Sequence, residues 1–351
     1  MRHKNTAFFI TISVIFSILL DSCSSEIKEP VPDVSKIKVE TEINRFDKEL
    51  FSIDTNQFAI GFEKLQNRYP LFTDVFFKNV MGAYDPRVAP EGPQNYMRGF
   101  ISAPVVQRLY DTCQIVFKNF KPIEDQFTQS FKYIKYYFPN RRLPSITTFI
   151  SEYSFAVFIY GKGDLGVGLD FFLGSNYPYA SINYENPNFS NYLTRTYNKE
   201  HLVSKTLMAL IDDWVGQAPS RDRLIDHMIH NGKKLFFLIK ILPQTPDSVI
   251  YEYSKKQVDW LKKNESNMWA FFTSENLLYN EDYQKIRKYV EYSPNAPGMP
   301  VEAPGKTANW LGERIVTEFM KKNPGMSFEN LLKQTDAQKI LETSKYRPRR
   351  N

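Results

Sequence analysis

Cysteine and histidine are the scarce residues of this chain. Its 351 residues hold only two cysteines and four histidines. The cysteines are Cys23 and Cys113, so no disulfide framework organises the fold, and a chain of this length builds a core without one. No Cys-x-x-Cys, His-Glu-x-x-His or Gly-x-Ser-x-Gly occurs, which removes the familiar zinc, redox and serine-hydrolase signatures. Charge of one sign is lacking too. Lys and Arg number 45 against 39 Asp and Glu, and the net +6 is spread along the chain, which gives no argument for nucleic acid. No apolar run reaches the roughly 20 residues a permanent membrane helix takes. What is plentiful is aromatic: 28 Phe and 21 Tyr. A Phe-rich core explains that better than a sticky or sugar-binding surface. Apolar residues at 42% and charged residues at 24% are ordinary for a globular protein.

The first residues form an address. Arg2, His3 and Lys4 precede the uncharged apolar run Ala7 to Leu20, as in a secretory signal. Leu20-Asp21-Ser22-Cys23 then resembles a bacterial lipoprotein signal, with Asp21 unusual at its position. That implies a signal peptide over 1–22 and lipid attachment at Cys23. Acyl chains contribute about 0.8 kcal/mol per buried CH₂, so several chains on one residue make a stable anchor. Residues 23–36, with Pro30 and Pro32, read as the lipidated N-terminus and a flexible tether. Residues 37–351 read as a single globular domain. The expected place is the cell envelope, lipid-anchored, and periplasm-facing because Ser24-Ser25-Glu26 lacks a strong acidic run. Cys113, left alone, sits in an apolar segment and packs as a small hydrophobe.

Periodicity gives an α+β fold: a predominantly helical body with a small antiparallel sheet. Ile37 to Phe46 alternates as a strand does. The part 56–138 is helical, most clearly in Lys121 to Phe138. There Ile123, Phe127, Phe131, Ile134 and Phe138 form one stripe, Pro122 suits the first turn and Pro139 follows the end. Residues 145–175 carry the sheet, with Gly161-Lys162-Gly163-Asp164 as a hairpin turn rather than a phosphate loop. The part 199–342 is helical again: Lys199 to Val215, stopped by Gly216; Arg221 to Leu242, with Gly232 placed for close packing; Pro246 to Lys263; and Glu281 to Tyr289. Four prolines make Glu291 to Thr307 irregular.

Candidates for chemistry are few. Beyond the signal only His201, His227 and His230 remain. His227 and His230 stand three apart on one helix, yet they point away from its apolar stripe, which reads as a solvated face. Asp212-Asp213 and Glu124-Asp125 are neighbours in sequence, and helix neighbours do not face each other. Neither a metal nor a cofactor is expected.

Several segments together resemble one family, the gliding motility lipoprotein GldB of the Bacteroidetes. They are Ile43-Asn44-Arg45-Phe46-Asp47; Ile225-Asp226-His227-Met228-Ile229 with Gly232-Lys233; Pro297-Gly298-Met299-Pro300 with Ala303-Pro304-Gly305; Trp310-Leu311-Gly312; and Ser344-Lys345-Tyr346-Arg347-Pro348. The resemblance implies a membrane-anchored, non-enzymatic component of the gliding machinery. Its partners would be membrane lipid through Cys23 and other gliding and type IX secretion envelope proteins. A fainter resemblance is to a gluzincin-type peptidase scaffold lacking its metal ligands, a pseudoenzyme. It would place Ala209, Leu210 and Asp213 on the first site helix and Asn231 and Gly232 on the second. The alternative it leaves is an envelope hydrolase, zinc-peptidase-like, with a divergent site. A buried cluster joining His201, His227 or His230 to Asp213 or Glu313 would favour that alternative.

Overall fold

The apolar stripe of Lys121–Tyr137 shows how this chain builds its body. Ile123, Phe127, Phe131 and Ile134 are all buried along it, and Phe138 closes its end with no exposure. The structure is a computed structural model that describes residues 30–182, 186–216, 219 and 221–349. The expected signal peptide, Cys23 and most of the tether lie outside the described residues. From Val34 onward the described residues form one compact unit.

The main helices are α1 (Phe58–Arg68), α2 (Gly92–Ser102), α3 (Pro104–Val116), α4 (Lys121–Tyr137), α5 (Lys199–Val215), α6 (Leu224–Ile241), α7 (Lys255–Lys263), α8 (Glu265–Ser274), α9 (Tyr283–Val290), α10 (Thr307–Lys322) and α11 (Ala337–Ser344). Four strands, β1 (Ile43–Asn44), β2 (Ile146–Phe149), β3 (Val157–Tyr160) and β4 (Asp164–Gly168), make one sheet in the order β1-β2-β4-β3. The class is α+β, as the periodicity implied.

The sheet is mixed rather than antiparallel. β3 and β4 form the expected antiparallel hairpin, pairing Tyr160 with Asp164 across Gly161 and Gly163, both at positive φ. β4 then slots between β3 and β2 and runs parallel to β2, as β1 also does on the other side. Strand alternation reports which faces are buried but not the direction of the neighbour, so the pattern alone could not separate these arrangements. The expected strand over 37–46 shrinks to Ile43–Asn44. The residues before it keep the alternation of exposure without making a ladder.

Most phenylalanines went to the core, in two clusters. The smaller one gathers Phe46, Phe58, Phe62, Phe72, Phe76, Phe77, Phe100 and Phe149. Phe46 lies 4.7 Å from Phe72 and 5.3 Å from Phe76, ring centre to ring centre, in edge contacts. Its neighbours in the segment Ile43–Asp47 hold it there. Asp47 is fully buried and accepts from Arg45 at 2.7 and 2.9 Å, from Gln114 at 3.0 Å and from the Thr148 hydroxyl. A carboxylate with this many donors satisfies its burial and pins the N-terminal segment to β2 and α3.

Gly232 is where α6 meets α10. A Cβ there would lie 2.3 Å from the carbonyl carbon of Gly312, and one on Gly312 would lie 1.8 Å from the carbonyl oxygen of Met228. The two backbones touch because neither residue has a side chain. That contact fixes the walls of the site.

Candidate functional site: a charged cavity between four helices

A cavity of about 580 Å³ opens where α5, α6, the end of α9 and the start of α10 converge. α5 presents Ser204, Lys205, Met208 and Asp212, one face at helical spacing. α6 presents His227, His230, Asn231 and Lys234, and α10 presents Asn309 and Trp310. Asn231 Nδ2 donates to Asn309 Oδ1 at 3.0 Å, which ties the α6 wall to the α10 wall beside the glycine contact.

Glu252 is the hub. Lys205 Nζ donates to its Oε1, and Lys306 Nζ donates to its Oε2 at 2.8 Å. The Tyr292 hydroxyl donates to Oε2 as well. Lys306 Nζ also sits 3.9 Å from the centre of the Tyr292 ring, a close cation–π contact. The ion-paired side chains are largely covered, at 13% exposure for Glu252, 18% for Lys205 and 17% for Lys306. Arg195 reaches the same spot from outside the lining, donating to the Glu252 carbonyl at 2.6 Å and to Gln257 Oε1 at 2.8 Å. Burial alone would push the Glu252 carboxyl up, but Lys205 and Lys306 outweigh it and hold the group well below the usual carboxylate range. Burial pulls Lys306 below the ordinary lysine value, with Glu252 opposing.

Two of these charges stand on unusual backbone. Glu252 has φ 58° and Lys306 φ 60°, the left-handed region that side chains disfavour. Such conformations persist where the surroundings over-determine them, and they concentrate at functional sites.

The pattern over Pro246 to Lys263 reads as helical, which hides Glu252. The chain breaks between Asp247–Ile250 and α7, and Glu252 occupies the break. A signal was present. Ser254 and Gln257 form a capping box, the mark of a helix starting afresh at Lys255.

The histidines are also corrected. His227 is 8% exposed and His230 is half-buried, and both line the cavity instead of a solvated face. α6 is covered on most sides, with Leu224 through Ile229 all buried, so direction measured from one stripe misleads. Burial pulls His230 down to about 3, with Lys234 next in effect, and His201 down to about 4, so both are neutral. His201 Nδ1 lies 2.8 Å from Asn198 Oδ1, at the cap of α5. His227 Nε2 lies 3.4 Å from Asp222 Oδ1.

The five residues placed by the peptidase resemblance do not gather. Ala209 is half-buried, Leu210 packs in the core, Asp213 is exposed and Gly232 sits in the helix contact; Asn231 alone lines the cavity. Glu313 accepts from Tyr251 at 3.1 Å and Thr317 at 2.6 Å, within α10 and its support. Among the described residues no three His, Cys, Asp or Glu side chains are placed to hold a metal. Cys113 is buried, and burial pushes its thiol far above the ordinary value.

The family model described as gliding motility protein GldB matches residues 28–348. The chain belongs to the GldB family. It is therefore a lipoprotein related to gliding motility and associated with the cell envelope. Neither among curated proteins nor among solved structures does any match the chain. No helix of the described residues is long and apolar enough to cross a membrane.

Two of the five segments that carry the GldB resemblance line this cavity, and a third packs against its wall. His227 stands on α6 and Trp310 on α10, and Gly305 accepts from the Tyr253 hydroxyl at 2.7 Å just before Lys306. The Pro/Gly segment is irregular yet tied down, with Ala296 N to Ala303 O at 3.1 Å and the Tyr289 hydroxyl to Pro297 O at 2.6 Å.

Proposed function

We propose that this GldB family chain is a lipid-anchored, non-enzymatic component of the gliding machinery that binds or stabilises other motility and type IX secretion proteins of the envelope. The observation that carries the reading is the family match over nearly the whole length. The cavity's chemistry agrees with binding rather than turnover. Glu252, the carboxylate best placed to act as a base, is held ionised by two ammonium groups and so accepts protons poorly. His230 is neutral and lies among lysines rather than beside an orienting carboxylate.

Deleting the gene and measuring the abundance of the other envelope motility proteins tests this. The reading expects at least one to fall, and to co-purify with this protein from wild-type cells. Unchanged abundance with no co-purification would overturn it. An envelope hydrolase remains the second reading, on the one observation that His227 and His230 share a cavity wall. Stoichiometric zinc in the purified protein would favour it.

A further inference from the structure

The charges around Glu252 do not balance. Lys205 and Lys306 share its one carboxylate, Arg195 donates to its backbone carbonyl, and among the described residues no other acid contacts any of the three. The other acids of the cavity wall stand toward solvent and are engaged elsewhere. Asp212 is half exposed and pairs with Lys234 at 3.0 Å, and the exposed Glu291 accepts from the Tyr283 hydroxyl. A covered cluster with an excess of positive charge is costly unless an anion joins it.

Donors are left over in the same place. An ammonium group has three N–H donors, and each lysine gives one hydrogen bond to Glu252. The first turn of α10, a sixteen-residue helix that begins right after Lys306, lines the cavity beside them. Its amide dipoles add positive potential there. Both ends of the ion pair stand on left-handed backbone. Apolar side chains line the space as well: Met208, Leu235, Leu238 and Trp310. The volume falls in the range of small-molecule sites.

We infer that this cavity binds a small organic acid, with its carboxylate or phosphate on Lys205 and Lys306 and its non-polar body against Met208, Leu235, Leu238 and Trp310. The inference concerns a ligand and stands apart from the motility reading. A free acid and the headgroup of an anionic lipid carry the same chemistry, and the test separates them.

Calorimetric titration of the purified lipoprotein in non-ionic detergent, at low salt, would use four probes. They are sodium phosphate, sodium benzoate, dihexanoyl phosphatidylglycerol and dihexanoyl phosphatidylcholine, the last reporting partition into the detergent. Binding of benzoate or phosphate identifies a free acid. Binding of the glycerol lipid in excess of the choline lipid identifies a headgroup. In either case Lys306→Gln should weaken binding at least tenfold, and exposed Lys162→Gln should leave it unchanged. Met208→Trp, which fills space beside the apolar lining, should weaken benzoate or lipid by a similar factor while sparing phosphate. Each variant is first checked for the wild-type circular dichroism spectrum, and the two stand on different elements of the cavity wall, so one suffices if the other fails to fold. No heat from any acidic probe up to 10 mM (a concentration set by the experiment), phosphate binding indifferent to Lys306→Gln, or benzoate or lipid binding indifferent to whichever variant folds, overturns the inference.

Discussion

The glycine contact between α6 and α10 allows a sharp test of the packing that shapes the cavity. Gly232→Ala places a methyl group 2.3 Å from the Gly312 carbonyl carbon, whereas an ordinary contact begins at 3.4 Å, so the helices must part by about 1 Å. Backbone cannot rotate out of the way as a side chain can. Overpacking of this kind costs about 1–3 kcal/mol, and parting the helices loosens the apolar side chains on either side of the contact. Alanine returns about 1 kcal/mol through its better helix propensity. The net expectation is a loss of about 1 kcal/mol, reaching about 2 kcal/mol at the upper end of the overpacking range. Gly99 supplies the control: it lies in α2, is exposed, and a Cβ there meets nothing within 4 Å. Gly99→Ala should therefore gain about 1 kcal/mol by propensity alone. Urea unfolding followed by circular dichroism would show midpoints moving in opposite directions. Two midpoints rising together would refute the reasoning, since the helices would then have room that the contact denies.

Four further outcomes follow from single features. Asp170 is fully buried, and burial raises its carboxyl to about 6 against the lowering effect of the Tyr153 and Ser151 amides. A raised acid favours the protonated fold, so stability is greatest below the unfolded value near 3.9 and falls as pH rises through 6; relative to Asp170→Asn the wild type should lose about 3 kcal/mol between pH 3.5 and 8, read by urea unfolding. Phe46→Ala should cost about 3–5 kcal/mol in the same assay, because its fully buried ring touches Phe72, Phe76 and Phe77. Lys345 ends α11 at φ 49° and is exposed, so Lys345→Gly should stabilise by about 1 kcal/mol. Cys113 should resist maleimide in the folded protein and react once urea unfolds it, as loss of mass-spectrometric protection would show.

Local signals carried much of the fold. The α4 stripe with its flanking prolines and the Gly161–Gly163 turn are written within a dozen or so neighbouring residues, and the structure follows them. What the sequence hides is which distant residues meet. Nothing near Lys205 announces Glu252 or Lys306, and the three converge only after α5, α6 and α10 pack. The parallel pairing of β2 with β4 is likewise a long-range choice. His227 and His230 were misplaced because a helix covered on most sides has no single inward face. The capping box at Ser254 was legible and would have exposed the break that holds Glu252.

The most direct test of the central claim is the movement of single cells on a surface after the gene is deleted and then restored as wild type or as Cys23→Ala. An anchored part of the gliding apparatus predicts that deletion stops movement and that only the lipidatable form restores it. Normal gliding of the deleted cells, or full rescue by Cys23→Ala, would contradict the account.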